Sequence, residues 1–250
     1  PLAPLRTTTD LLKQRLIQDP ELRELSQIQE RQLGCLTRMV DDLLDMSRIK
    51  SGRIELQCEP LDLREAVAGA LENARPAIEA AGQVLIIDSA EVVLPVHGDR
   101  VRLIQAVTNL LHNANKYTPN GGQIDVVTRL ANGQLEVRVR DSGIGLAPEL
   151  IDRIFDLFAQ GPQRSGAAKS GLGLGLTLVR RIMELHGGRA EARSDGPGKG
   201  SELILCLPRS ADAAAALAAA ALADGAAGSD ASEPAAMRGH GLGEGGGEDK

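Results

Sequence analysis

Residues 109–122 read NLLHNANKYTPNGG, and this stretch decides how the central part of the chain is interpreted. Its apolar residues continue a stripe with helical spacing, which predicts an amphipathic helix over 99–117. The opposite face carries Asn109, Asn113 and Lys116. Asparagine costs a helix about half a kcal/mol relative to alanine, and an ordinary solvent face favours Glu and Lys. The unusual composition of this face therefore needs an explanation.

Two amides and an ammonium on one helix face match the chemistry of a metal-bound polyphosphate. Amide oxygens of Asn109 and Asn113 are neutral, hard ligands, and they suit Mg²⁺ when substrate phosphates supply the negative charge. Lys116 adds a point charge for those phosphates. Tyr117, the one tyrosine of the chain, closes the helix and can stack on a base. The stretch taken alone fits an ordinary polar face equally well.

The second informative stretch is DSGIG, at 141–145, after a strand predicted over 134–140. Asp141 keeps the phase of the apolar residues of that strand, so its carboxylate is expected to point toward the core. A buried carboxylate needs hydrogen-bond donors. These can be backbone N–H groups of the following turn, or a ligand amino group such as that of adenine. Gly143 and Gly145 let the backbone pass close to a flat ring.

The third stretch is SGLGLGL, at 170–176, which opens a helix predicted over 174–186. Glycine N–H groups at a helix N-terminus can wrap an anion, although a glycine loop alone is weak evidence. The residues at 159–170 lack large apolar side chains and predict a mobile lid. Phe155 and Phe158 precede this lid, and we expect them to anchor it to the sheet.

The three regions of the chain differ in pattern. Residues 1–52 predict a helical hairpin, whose apolar stripes would be buried by pairing with a second copy in a four-helix bundle or by docking on the chain's own globular domain. Residues 53–208 predict an α+β domain, with helices on one face of a mostly antiparallel sheet. Its further helices are predicted at 62–81 and 148–158. Its further strands are predicted at 84–88, 123–130, 189–194 and 201–207. Residues 209–250 predict a disordered Ala/Gly-rich tail or linker, with a transient helix at 213–222.

Composition narrows the function classes. The net charge of −6 and the pI of about 5.3 disfavour nucleic-acid binding. No apolar run approaches the ~18 residues of a membrane span, so we expect residues 1–250 to make no membrane contact. Three widely spaced cysteines fit a cytoplasmic protein better than a disulfide or zinc framework. The chain begins with Pro1, and we expect it to be a fragment whose full-length form can carry a membrane anchor elsewhere.

The motifs N-L-L-x-N-A-x-K-Y-T, D-x-G-x-G, F-x-x-F and G-x-G-L-G-L, in this order, resemble the N, glycine and F boxes of sensor histidine kinases. That family belongs to the gyrase, chaperone, histidine-kinase and mismatch-repair ATPase superfamily. The resemblance covers 53–208 and implies a Bergerat-type two-layer α/β sandwich that binds ATP and Mg²⁺. The implied nucleotide-binding residues are Asn109, Asn113, Lys116, Tyr117, Asp141, Gly143, Gly145, Phe158, Gly171, Leu172, Gly173, Leu174, Gly175 and Leu176.

The resemblance also implies individual roles. Asn113 corresponds to the Mg²⁺ ligand, and Asn109 and Lys116 to residues on the phosphate side. Tyr117 would lie against the adenine, and Asp141 would bind its amino group. Gly171, Gly173 and Gly175 would form the lid hinge.

The implied function is that of a histidine kinase in a two-component system, a homodimer through the hairpin that passes a phosphoryl group to a histidine and then to an aspartate of a response regulator. The motif that carries the phosphoacceptor histidine in this family is missing from 1–52, where PLAPLR resembles the stretch just after it. We therefore expect this stretch of chain to bind Mg-ATP without autophosphorylation. His97, His112, His186 and His240 are expected to be structural or incidental.

Three alternatives stay open. An ATPase clamp of the same superfamily usually has a Glu on the asparagine helix, which is lacking between Arg102 and Tyr117. A kinase that acts on a serine of a partner protein lacks the long hairpin. A dimerisation scaffold that binds nucleotide without kinase activity is the third.

Overall fold

The structure of the chain is a computed structural model that describes residues 55–159 and 173–229, together with scattered positions between 25 and 44. The described positions between 25 and 44 are helical. Most of the predicted hairpin, nearly all of the predicted lid and the end of the predicted tail lie outside the described residues. No helix in the described ranges is both long and apolar enough to cross a membrane.

Residues 55–159 and 173–229 form seven strands and five helices. The strands are β1 (Glu59–Asp62), β2 (Val84–Ser89), β3 (Pro95–Gly98), β4 (Gln123–Ala131), β5 (Gln134–Asp141), β6 (Arg189–Arg193) and β7 (Ser201–Pro208). The helices are α1 (Leu63–Ala80), α2 (Arg100–Tyr117), α3 (Pro148–Ile151), α4 (Gly175–Leu185) and α5 (Ala211–Ser229).

The main sheet has five strands in the order β2-β4-β5-β7-β6. Only the β2–β4 pair is parallel, and the remaining neighbours in this sheet are antiparallel. Asn132 and Gly133 form the β4–β5 turn with positive φ angles of 52° and 76°, as their sequence predicts. A second, two-stranded sheet pairs β1 with β3. The predicted α+β class with a mostly antiparallel sheet is confirmed.

Helices α1, α2 and α4 pack on one face of the main sheet and bury an aliphatic core. The apolar stripe of α2 is fully buried, with Leu110 and Leu111 at 0% exposure. Alternate residues of β5 point into the same core, with Leu135 and Val137 also at 0%. The other face of the sheet carries charged side chains, so the apolar layer lies between the helices and the sheet. This arrangement leaves the polar face of α2 directed away from the core.

The structure differs from the sequence predictions in four elements. The helix expected over 148–158 ends at Ile151, and turns follow it to Phe158. Strands β1 and β3 were not predicted, because they are only four residues long. Residues 211–229 form helix α5, which includes the transient helix predicted at 213–222 and extends beyond it at both ends. Alanine has the highest helix propensity, which favours this longer helix.

Helix α5 also has a tertiary contact that its composition does not indicate. The Ser210 Oγ accepts a hydrogen bond from the Ala213 N–H at 3.1 Å, which caps the helix. The Ser210 N–H donates to the Pro95 carbonyl at 3.0 Å. Ala213 is completely buried, in a helix that packs against β1 and β3. Helix α5 therefore packs on the two-stranded β1–β3 sheet.

Candidate functional site

The polar face of α2 meets the N-terminus of α4. Asn109, Asn113 and Lys116 are all half-buried on α2. The Asn109 Nδ2 lies 3.5 Å from the Gly175 carbonyl oxygen, the first residue of α4. The predicted amide face and part of the predicted glycine loop are therefore neighbours in space.

Lys116 and Tyr117 end α2 together. The Lys116 Nζ lies 4.9 Å from the centroid of the Tyr117 ring, within the range of a cation–π contact. The ring is half-buried and follows the polar face of α2. A positive charge and an aromatic face thus stand at the same end of the helix.

Asp141 is the buried carboxylate of the site, with 6% exposure at the end of β5. Its Oδ1 accepts a hydrogen bond from the Gly143 N–H at 2.8 Å. Its Oδ2 accepts one from the Ser201 hydroxyl, on the neighbouring strand β7. The inward direction predicted from strand alternation is confirmed, and one of the local backbone donors considered in the sequence is present.

Burial raises the pKa of Asp141 above its ordinary value, although the hydrogen bonds from Ser201 and Gly143 act in the opposite direction. The charged form of this carboxylate is therefore incompletely compensated by the protein alone. One further donor at the carboxylate would stabilise the charge. An amino group of a bound ligand is a donor of this kind.

The DSGIG turn is attached directly to the end of α2. The Ile144 N–H donates to the Tyr117 carbonyl at 3.2 Å. A Cβ on Gly143 would lie 2.4 Å from the same oxygen, so only glycine fits this approach. Gly145 has a φ of 67°, and a Cβ there would lie 2.2 Å from the Gly196 carbonyl oxygen. These contacts bring Tyr117 to the turn that follows Asp141.

The described part of the glycine loop has separate roles at successive residues. Gly173 adopts a φ of 70°, and a Cβ there would lie 2.8 Å from the Ala159 carbonyl oxygen. Leu174 is buried at 2% exposure, whereas Leu176 is half-buried against the core. Gly171 and Leu172 lie outside the described residues. Loop and lid edge thus meet at Gly173.

The two phenylalanines have different surroundings, contrary to the expectation that both anchor the lid. Phe155 joins the core at 6% exposure. Phe158 is 62% exposed and has a positive φ of 61°. Its Cα lies 3.1 Å from the position of a Gly173 Cβ, so its backbone, rather than its ring, contacts the loop.

Sequence reasoning missed the role of Ser201. This residue stands directly opposite Asp141 in the β5–β7 register, and its hydroxyl contacts the carboxylate. Ser201 begins the strand predicted over 201–207, but the sequence alone does not show which residue of β5 pairs with the serine. The strand register is the signal that would have found it.

Asn115, the third asparagine of the stretch NLLHNANKYTPNGG, has a structural role. Its Nδ2 donates to the Gln83 Oε1 at 2.8 Å and to the Ala77 carbonyl at 3.1 Å. It therefore ties α2 to the end of α1. This third asparagine supports the fold, while Asn109 and Asn113 remain on the site face.

A divalent cation at this site would depend on amide and phosphate oxygens. Over the residues that the structure describes, no group of three or more His, Cys, Asp or Glu side chains lies together. Asn113 offers a neutral oxygen ligand, and Mg²⁺ is commonly held by one or two protein ligands plus substrate phosphates. An amide oxygen such as that of Asn113 fits an ion whose remaining ligands come from a bound phosphate compound.

Known proteins resemble this chain across the domain described above. Residues 98–211 match the family described as "Histidine kinase-, DNA gyrase B-, and HSP90-like ATPase". Histidine protein kinase DivJ of Caulobacter vibrioides is 40% identical over 177 residues, which are 70% of this chain and 29% of that protein. The alginate biosynthesis sensor protein KinB of Pseudomonas aeruginosa is 32% identical over 210 residues, 83% of this chain and 34% of that protein.

A solved structure of full-length ShkA in complex with AMPPNP is also similar, with a TM-score of 0.64 and 25% identity. The match covers 81% of this chain and 42% of ShkA. The chain thus spans about a third of the length of each of these two curated relatives.

Proposed function

Residues 98–211 belong to the family of histidine kinase-, DNA gyrase B- and HSP90-like ATPases, and on this premise we propose that the chain is the Mg-ATP-binding part of a sensor histidine kinase. The observation that carries the proposal is Asp141. This carboxylate is buried, fixed by Ser201 and Gly143, and incompletely compensated. The 6-amino group of adenine supplies the missing donor, while the 6-oxo group of guanine does not.

The polar face of α2 supports a role in phosphate binding. Asn109 lies beside the N-terminus of α4, where the backbone N–H groups and the helix dipole favour an anion. Asn113 is the proposed ligand of Mg²⁺, which would neutralise phosphate charge when bound. Lys116 is proposed to act on the same phosphates, and the Tyr117 ring to lie against the adenine.

Phosphoryl transfer is the proposed activity of the whole protein. The γ-phosphoryl group would pass to a histidine nitrogen and then to an aspartate of a response regulator. In such transfers the protein contributes mainly positioning and charge neutralisation. The residues of this chain would hold the nucleotide while the acceptor approaches.

We further propose that the protein is a homodimer through its N-terminal helical segment. The described positions there are helical and expose apolar side chains, with Leu25 at 60% and Leu44 at 52%. Exposed apolar residues at helical spacing favour pairing with another helix. The free cysteines Cys58 and Cys206 fit the proposed cytoplasmic location.

The test is a calorimetric titration of the chain with AMPPNP and with its guanine counterpart, each with and without Mg²⁺. Binding of Mg-AMPPNP with clear preference over the guanine analogue supports the proposal. Absence of nucleotide binding refutes it. Rapid hydrolysis of ATP by the isolated chain would instead favour an ATPase of the same superfamily.

A further inference from the structure

We infer that His186 is a positioning residue for the proposed nucleotide site, because its ring joins the beginning of α2 to the end of α4 and so sets how these two helices align. This inference rests on the proposed function, since both helices contribute to the proposed phosphate site. From the sequence alone, His186 is expected to be structural or incidental.

Both ring nitrogens of His186 have partners. The Nδ1 lies 2.8 Å from the Ile182 carbonyl oxygen in α4, and the Nε2 accepts a hydrogen bond from the Asp99 N–H at 3.0 Å. The carbonyl can only accept, and the N–H can only donate. The ring must therefore be neutral, with its proton on Nδ1.

The contact is buried and closely packed. His186 is 8% exposed and Asp99 is also 8% exposed. A Cβ on Gly98 would lie 2.9 Å from the His186 Cδ2 and 3.0 Å from the Leu103 Cδ1. Glycine at position 98 is thus what allows the ring to reach the start of α2.

Asp99 connects this contact to two further segments. Its Oδ1 accepts from the Arg102 N–H at 3.1 Å, which caps α2. Its Oδ2 accepts from the Gln57 N–H at 3.1 Å, in the segment that enters the domain. His186 therefore touches a residue that fixes both α2 and the entry segment.

A contact between side chain and backbone links α2 to α4 near each end of α4. Asp99 and Asn109 are ten residues apart, about 15 Å along a helix. Gly175 and His186 are eleven residues apart, about 16 Å along α4. The Asp99–His186 contact therefore holds the start of α2 to the end of α4, and the Asn109–Gly175 contact holds the middle of α2 to the start of α4. The two helices are antiparallel, so a shift at the Asp99–His186 contact changes the distance between Asn109 and Gly175.

Protonation would break the contact. A charged imidazole has N–H groups at both nitrogens, so the Nε2 would face the Asp99 N–H donor to donor. Burial lowers the pKa of His186, while the Ile182 carbonyl and the negative charge of Asp99 oppose this shift. On α4 itself, Arg181 and Glu184 pair with each other at 3.0 Å. Acidification below the ordinary histidine range should therefore loosen the alignment.

The test compares the wild type with His186→Gln, His186→Leu and the control His97→Gln, which changes an exposed histidine of β3. Glutamine can keep an acceptor for the Asp99 N–H without titrating, whereas leucine cannot. Hydrogen exchange at a fixed pH of 7.5 monitors residues 173–178, and titration measures Mg-AMPPNP affinity at pH 7.5 and 5.8.

We expect His186→Leu to speed exchange at 173–178 and to weaken Mg-AMPPNP binding about fivefold while the protein remains folded. His186→Gln should restore both readouts at pH 7.5, and acidification should weaken its Mg-AMPPNP binding less than it weakens that of the wild type and of the control. Faster exchange confined to 183–188, with unchanged affinity in folded His186→Leu, would overturn the inference. If the wild type binds no nucleotide, the proposed function fails, while exchange at 173–178 still decides the positioning role.

Discussion

Ser201 donates a hydrogen bond to the buried carboxylate of Asp141 from the directly opposite position on the neighbouring strand. The Gly143 N–H holds the second carboxylate oxygen from the turn. The Ser201 hydroxyl and the Gly143 N–H fix the orientation of the carboxylate, while burial still raises its pKa. A carboxylate held in a fixed orientation, with capacity for a further hydrogen bond, can recognise an amino group of a ligand.

Asp141→Asn should abolish the preference for adenine. The side-chain amide retains one oxygen for the Gly143 N–H, but its nitrogen is a donor and would meet the adenine amino group unfavourably. We expect Mg-AMPPNP affinity to fall at least about tenfold, the effect of a lost hydrogen bond to a charged group. Titrations with the adenine and guanine analogues measure both quantities, and an undiminished adenine preference would contradict the assignment.

The same variant should be more stable than the wild type near neutral pH in the absence of nucleotide. Because burial raises the folded-state pKa of Asp141, the folded protein binds more protons than the unfolded chain above the ordinary carboxyl pKa of about 3.9. Wild-type stability is therefore lost as the pH rises through the folded pKa, and asparagine has no such loss. Urea unfolding at pH 4 and at pH 7 should show a stability difference that grows with pH in favour of the variant; a constant difference would contradict this.

Asn113→Ala tests the proposed metal ligand. We expect the variant to lose most of the gain in AMPPNP affinity that Mg²⁺ gives the wild type, while binding of the metal-free nucleotide stays similar. The reason is that alanine removes a ligand oxygen but no charge. Paired titrations with Mg²⁺ and with EDTA measure this gain, and an equal gain in both proteins would exclude Asn113 as the ligand.

Asn115→Ala is the matched control on the same helix. Its side chain bonds to Gln83 and to the Ala77 carbonyl, and Gln83 is itself buried at 7% exposure. We expect a loss of about 1–3 kcal/mol in the free energy of unfolding, because a buried polar group loses its partner. Nucleotide affinity of the folded variant should not change. A fall in affinity as large as that of Asn113→Ala would place Asn115 in the site as well.

These two asparagines also indicate how far the sequence predicts the structure. Helical periodicity correctly separates the face of Asn113 from that of Asn115, and strand alternation correctly directs Asp141 inward, because both depend on local geometry. The sequence does not give the register between β5 and β7, so it leaves Ser201 unassigned. The Gln83 partner of Asn115 is likewise a matter of tertiary packing.

Helix α5 and His186 show the same limit of prediction from the sequence. For the Ala-rich stretch the sequence predicts only a transient helix at 213–222, because large apolar residues are lacking, yet Ser210 caps a longer helix and Ala213 packs against the small sheet. The sequence does not indicate the role of His186 because its partner, Asp99, is 87 residues away in the chain. Contacts between distant segments decide both cases, and no local pattern encodes them.

Gly173 and Gly175 should respond differently to alanine, although both belong to the glycine loop. At Gly173 the φ of 70° and an approach of 2.8 Å to the Ala159 carbonyl oxygen make a Cβ strained, so we expect Gly173→Ala to cost about 1–2 kcal/mol of stability.

At Gly175 a Cβ would meet the Asn109 amide at an ordinary 3.6 Å, inside the first turn of α4. Gly175→Ala should therefore fold at least as stably as the wild type, since alanine favours helix over glycine. If the space beside Asn109 receives phosphate, this variant still binds Mg-AMPPNP more weakly. Thermal unfolding and titration of both variants decide the point, and a stable Gly175→Ala with wild-type affinity would place the phosphates elsewhere.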